Sequence, residues 1–162
     1  MGKLDSSKNL NLIDYIVKEC SYELLDANKY EAAIKSLIPD SVGIGVQISE
    51  ISGPNDETRG QNVVRVAMKL VIGPENDPDV PFRASIELLS MLGSQYDFWE
   101  DEEALLNIVS AAISVMFGAA RERLAAISSG GPNPKLILPL IAPTEVAKDA
   151  IKTFSRSRVK LG

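Results

Sequence analysis

Histidine is absent from all 162 residues, and that absence removes more chemistry than any residue present supplies. Without imidazole there is no Ser-His or Cys-His nucleophile pair, no histidine acid–base catalyst and no histidine-bound zinc. Cysteine is nearly absent: Cys20 stands alone, which excludes an internal disulfide and fits a reducing compartment. It lies within a strand-like pattern and reads as an inert thiol. Basic excess is missing too. A net charge of −5 and a pI near 4.8 leave no broad cationic face for nucleic acid. No uninterrupted apolar run approaches the length of a membrane span, so none is expected. The opening Met-Gly-Lys-Leu-Asp-Ser-Ser-Lys-Asn lacks the apolar stretch of a signal peptide. These absences point to a cytoplasmic protein that is not an enzyme and carries no cofactor or metal.

What is present is ordinary for a globular domain: 45% apolar and 24% charged residues, in a chain of single-domain length. Residues 1–12 read as a flexible polar start, 13–154 as the folded domain and 155–162 as a basic tail. Tyr15 to Leu25 alternates imperfectly, with Glu19, Ser21 and Glu23 on one face and Cys20, Tyr22 and Leu24 on the other, and reads as a strand. Asn28 to Ile38 is ambiguous and is closed by Pro39. Val42 to Ile48 alternates strictly, with Gly43 and Gly45 opposite the apolar face. Gly53 to Gly60 has the composition of a loop. Val63 to Ile72 and Phe82 to Leu92 are two further strands, the last turning apolar on both faces as Leu89 and Met91 join the pattern. Four strands joined by short loops predict an antiparallel sheet, a meander or Greek key.

The long helix, Glu102 to Ile127, is the clearest element. Leu105, Val109, Ala112, Ile113, Met116, Ala120, Leu124 and Ile127 recur at steps of three and four. Leu106, Ile108 and Phe117 widen the stripe beyond what one sheet covers, which predicts a homo-oligomer. Acidic residues at its start and Arg121 and Arg123 near its end suit the helix dipole. Gly130, Gly131 and Pro132 supply the stop. Leu136 to Ile141 reads as a proline-bracketed apolar strand, and Thr144 to Phe154 as a short final helix. The fold class expected is therefore α+β, a four-stranded antiparallel sheet with a long helix packed on it and a short C-terminal helix.

Three other clusters were candidates for chemistry. Asp97, Glu100, Asp101, Glu102 and Glu103 crowd seven residues and offer oxygen ligands for Mg²⁺ or Ca²⁺, which would make a carboxylate-metal enzyme; helix-start charge explains them more simply. Gly43-Ile-Gly45 lies inside a strand pattern and lacks the third glycine of a dinucleotide fingerprint. Tyr96, Phe98 and Trp99 form either a binding patch or an anchor for the helix start.

The element order, with Lys18-Glu-Cys-Ser-Tyr-Glu23, Phe117-Gly-Ala-Ala-Arg-Glu122 and Leu136-Ile-Leu-Pro-Leu-Ile141, resembles the SecB family of export chaperones over roughly residues 13–154. The first piece resembles the family's first-strand pattern. The second resembles its Phe-Pro-Tyr-Ala-Arg-Glu, and the third its Leu-x-Leu-x-Pro strand with the proline displaced by one. The resemblance implies ATP-independent holding of unfolded or secretory polypeptides by a dimer or a dimer of dimers, a homotetramer. By family position the peptide-binding groove would include Leu37, Ile38, Ile44 and Val46, with Leu89, Met91 and Leu92 from the fourth strand. Ordinary core burial is the other account of these residues.

The family also docks the translocation motor SecA on an acidic sheet face, to which Glu19 and Glu23 correspond. Arg83 and Ser85 depart from the family pattern at that face. So does the tail, where Lys148, Lys152, Arg156 and Lys160 repeat every four residues beside Arg158. Such a stripe suits nucleic acid, an acidic partner or anionic lipid, or is simply a solvated helix face. Two functions are expected on these residues: a general holdase, or a SecB-fold adaptor dedicated to one partner such as an antitoxin or a phage-type protein.

Overall fold

The computed structural model describes residues 11–35, 37–51, 62–129 and 135–161, and describes side chains over 15–35, 37–50, 62–129 and 135–154. The expected flexible start before residue 11, the loop at Gly53 to Gly60, the Gly130-Gly131-Pro132 stop and the side chains of Arg156, Arg158 and Lys160 lie outside these.

Four strands form one antiparallel sheet: β1 (Asn11–Leu24), β2 (Gly43–Ile51), β3 (Asn62–Ile72) and β4 (Phe82–Ser94), in the order β1-β4-β3-β2. Sequential strands β2, β3 and β4 are neighbours, while β1 lies beside β4. Of the two connectivities expected, this is the Greek key. The crossover from β1 to β2 runs through α1 (Ala27–Lys35) and a 3₁₀ turn at Pro39–Ser41, so the ambiguous segment is helical. Tyr30 anchors it: fully buried, its ring lies 5.6 Å from Phe82 and 6.3 Å from Tyr22. Burial and the Tyr30 hydroxyl together push the Tyr22 phenol well above its usual range.

Imperfect alternation in β1 has a simple cause. The register skips one residue between Val17 and Glu19, and another between Leu12 and Asp14. Each skipped residue is a bulge that reverses the parity of what precedes it. Tyr15 and Val17 therefore share a face with Cys20 and Tyr22, whereas Ile16 joins Glu19, Ser21 and Glu23.

One face of the sheet carries Val64, Val66, Met68, Leu70 and Ile72 of β3 and Phe82, Ala84, Ile86, Leu88 and Leu92 of β4, all buried. Helix α2 (Glu102–Ser128) lies on this face with Leu105, Val109, Ala112, Ile113, Met116, Ala120 and Leu124 buried. Ile127, expected in the same stripe, is exposed. By length and composition α2 is apolar enough to cross a membrane, with mean hydropathy 1.6 over its best window. The sequence reading missed this because scattered polar residues interrupt every run. Its burial against the sheet is that of a core helix.

Of the residues that widen the stripe on α2, Ile108 and Phe117 are buried within the chain and Leu106 is half-buried, in a core that also takes in Leu136, Leu138, Ala147 and Ala150. Contrary to expectation, Leu136 to Ile141 is not a strand. Leu136 and Leu138 are buried and Ile137 is half exposed, as alternation predicts, yet the segment joins no ladder. Pro139 and Pro143 lack N–H donors, and the Leu136 N–H goes instead to Ser128 Oγ at 2.7 Å. Helix α3 (Pro143–Leu161) begins on a proline, as a first helical position favours, and extends past the expected end at Phe154.

Candidate functional site

Strand β2 is at one edge of the sheet and pairs with β3 alone among the described residues. Its strict alternation turns Ile44, Val46 and Ile48 toward the helical side, opposite Leu70, Met68 and Val66 of β3. Helix α3 approaches this edge from the same side. Its Ala147 and Ala150 are buried, and Val146, Ile151 and Phe154 are half-buried against the core. Helix and strand do not close completely. A groove of about 390 Å³ remains between them, lined by Val42, Ile44 and Val46 from β2 and by Val146, Asp149, Ala150 and Thr153 from α3. Of its β2 wall, Val42 is buried, while Ile44 and Val46 are only half-buried. Aliphatic side chains line both walls, with one carboxylate, Asp149, and one hydroxyl, Thr153, on the α3 side.

The seven groove residues expected from sequence divide four ways. Ile44 and Val46 line the groove. Leu37 packs half-buried against the core, and Ile38 is 55% exposed; both precede the turn that leads into Val42. Leu92 is buried between sheet and helix. Leu89 and Met91 lie on the opposite face of the sheet, across from Ile16 and Asp14 of β1 and from Ala67 and Arg65 of β3. The sequence reading missed the α3 wall, although Val146, Asp149, Ala150 and Thr153 recur at helical spacing along one face.

That opposite face also carries the expected acidic docking residues. Glu19 and Glu23 are both exposed. Glu23 sits 3.7 Å from Arg83 Nη1, and Arg83 Nε donates to Glu75 Oε1 at 2.9 Å. The Glu75 carboxyl is held below its usual range by its own backbone N–H and, second, by Arg83. Glu19 stands directly across from Glu87, a like-charged pair relieved by Lys18 Nζ at 3.4 Å from Glu87. Part of the acidic face is thus neutralised from within the chain by Arg83.

The remaining candidates settle into structural roles. Asp101 caps α2, its Oδ1 accepting from the Ala104 N–H at 3.1 Å and its Oδ2 from the Tyr96 hydroxyl at 2.7 Å. Among the described residues, no group of three or more potential ligands is placed to hold a metal. Trp99 stacks 5.0 Å from Phe98 and 5.6 Å from Phe154, so the aromatic cluster anchors α3 as well as the start of α2. Burial pushes the Cys20 thiol above its ordinary value, an effect the Arg123 charge only partly offsets.

No protein-family model and no curated protein matches the chain. Solved structures do. One is the SecB-like chaperone Rv1957 of Mycobacterium tuberculosis, in complex with a ChAD peptide from the Rv1956 HigA1 antitoxin, at 14% identity and a TM-score of 0.47, covering 82% of this chain and 91% of that one. Another is a protein of unknown function from Streptococcus agalactiae, at 12% identity and a TM-score of 0.52, covering 82% of this chain and 98% of that one. At such identity the second likeness is one of fold: the sheet, long helix and C-terminal helix occur together elsewhere.

Proposed function

We propose that this chain is a cytoplasmic binding protein, not an enzyme, that holds extended unfolded or secretory polypeptides without ATP. The observation that carries the proposal is the groove between β2 and α3, because its half-buried Ile44 and Val46 offer apolar surface beside a strand edge. An unfolded client has apolar side chains and unpaired backbone groups, and such a site meets both without reading sequence. The three sequence pieces that resemble SecB support the same function. So does the coincidence of Ile44 and Val46, named by that resemblance, with the observed groove. Assembly into dimers or a homotetramer rests on the resemblance alone.

A dedicated adaptor is the second reading, favoured by Arg83. With Glu23 and Glu75 drawn to that guanidinium, Glu19 is, among the described side chains, the main carboxylate left for a SecA-like contact, and a partner specific to this chain becomes the better account. One experiment separates the two. The purified protein, at stoichiometric amounts without ATP, is mixed with two unrelated chemically unfolded proteins and light scattering is followed. Suppression of both supports the general holdase; no effect on either sinks it and leaves the dedicated partner.

A further inference from the structure

Strand β4 is apolar on both faces, and the helices account for only one of them. Its Ile86, Leu88 and Leu92 are buried on the side of α2. Leu89 and Met91 face the other way and are half-buried, with Leu89 between Ile16 of β1 and Ala67 of β3. Helix α1 belongs to the side of α2 as well, since Tyr30 packs on Tyr22 and Phe82. Half-buried Ala67 and Val71 and Ile16, 47% exposed, extend the apolar patch. A strand apolar on both faces is the mark of a sheet covered on both.

Charge on this face is ordered. From β1 through β4 to β3, one row reads Glu19, Glu87, Lys69. The next row is apolar, Ile16, Leu89 and Ala67, and the one after it reads Asp14, Met91, Arg65. Each charged row is thus acidic at its β1 end and basic at its β3 end. Glu19, Arg65 and Lys69 are exposed, and none has an ion-pair partner among the described residues. Such a face is complementary to its own reversal, which a second copy supplies. We propose that two copies of this chain pack sheet face to sheet face, on the side away from α2, about a two-fold axis that runs along β4. Glu19 of each copy then meets the partner's Lys69, and Leu89 and Met91 close on their own counterparts along the axis. Glu87 and Arg83 fall on the same line, and each is already matched within its own chain, Glu87 by Lys18 and Arg83 by Glu23 and Glu75. A two-fold across the strands at Leu89 instead puts Lys69 over the partner's Arg65, like charge on like. Four strands about 4.8 Å apart and roughly 35 Å long offer roughly 700 Å² of face, close to the ~800 Å² that each partner buries in a standard interface. The contact covers Glu19, the carboxylate left for a SecA-like contact, and it does not depend on client binding.

Sedimentation equilibrium of the full chain at micromolar concentrations tests the contact by charge reversal. Glu19→Lys and Lys69→Glu change exposed positions, and each sets like charges together at two symmetry-related places. Each alone should therefore weaken self-association about tenfold. The double variant, Glu19→Lys with Lys69→Glu, exchanges the signs and should restore the wild-type constant. Trp99 emission checks that all three variants are folded. Added salt should weaken the wild type and the double variant alike. A wild-type chain that stays monomeric overturns the proposal. So does an assembly that neither reversal loosens, because its contact then lies on another surface. A double variant no tighter than the single ones overturns it too, because Glu19 and Lys69 then do not meet.

Discussion

The rings of Trp99 and Phe154 lie 5.6 Å apart and tie the segment leading into the long helix to the middle of the last one. Through this contact α3 is held over the edge of β2, and one wall of the groove depends on a contact made outside it. Phe154→Ala should cost about 1–2 kcal/mol, below the value for a fully buried ring because Phe154 is half-buried. The same change should shift Trp99 emission in the native state and weaken client binding more than it weakens the fold. Urea unfolding followed by fluorescence, beside an aggregation assay, checks both parts. Unchanged emission would show that Trp99 does not sense α3.

Ser128 fastens the opposite end of α2. Its hydroxyl donates to Leu124 O and accepts from the Leu136 N–H, both at 2.7 Å and both buried. Ser128→Ala leaves that N–H without its acceptor, which costs about 1–3 kcal/mol. The loss should appear as a lower urea midpoint with an unchanged slope.

The two faces of the sheet should respond differently to charge. Ile44→Asp places a carboxylate in the groove and should weaken holding of unfolded clients about tenfold, the size of a modest hot spot. Met91→Asp, on the face away from α3, should leave holding unchanged. Equal loss from both variants would move the client site off the groove.

Acid should release the Arg83 cluster late. The Glu75 carboxyl is depressed by its own backbone N–H and by Arg83, so it binds fewer protons in the folded state than when unfolded. Its contribution is present above the ordinary carboxylate range and is lost only as pH falls below that range, through the depressed value. Side-chain NMR titration should show this shift, and Arg83→Leu should remove part of it and leave the backbone share. A Glu75 titration in the ordinary range in the native protein would contradict the pair.

Much of the fold was legible because it depends on local periodicity. Val42, Ile44 and Val46 alternate, and Leu105 to Leu124 recur at helical steps, so strand and helix follow from the solvent preference of each position. Bulges were hidden: nothing in Tyr15-Ile16-Val17-Lys18-Glu19 states that Lys18 opposes no residue of β4. The candidate site was legible only in part, since Ile44 and Val46 share it with α3 residues about a hundred positions further along the chain. Leu89 and Met91 were assigned to it because both faces of β4 are apolar, and composition alone does not say which face a helix covers.

The sequence by itself determined the class of protein. Lack of histidine removed imidazole chemistry, the single cysteine removed internal disulfides, and two hydrophobic periods specified an α+β domain. Tertiary structure decided which apolar residues were left over. Ile108, Phe117 and Leu92 were absorbed into the one core that also holds Leu136, Leu138, Ala147 and Ala150, while Ile44 and Val46 kept a partly open wall. Burial is a property of the whole packed chain: each side chain seeks cover, and only the arrangement of distant elements settles which ones find it.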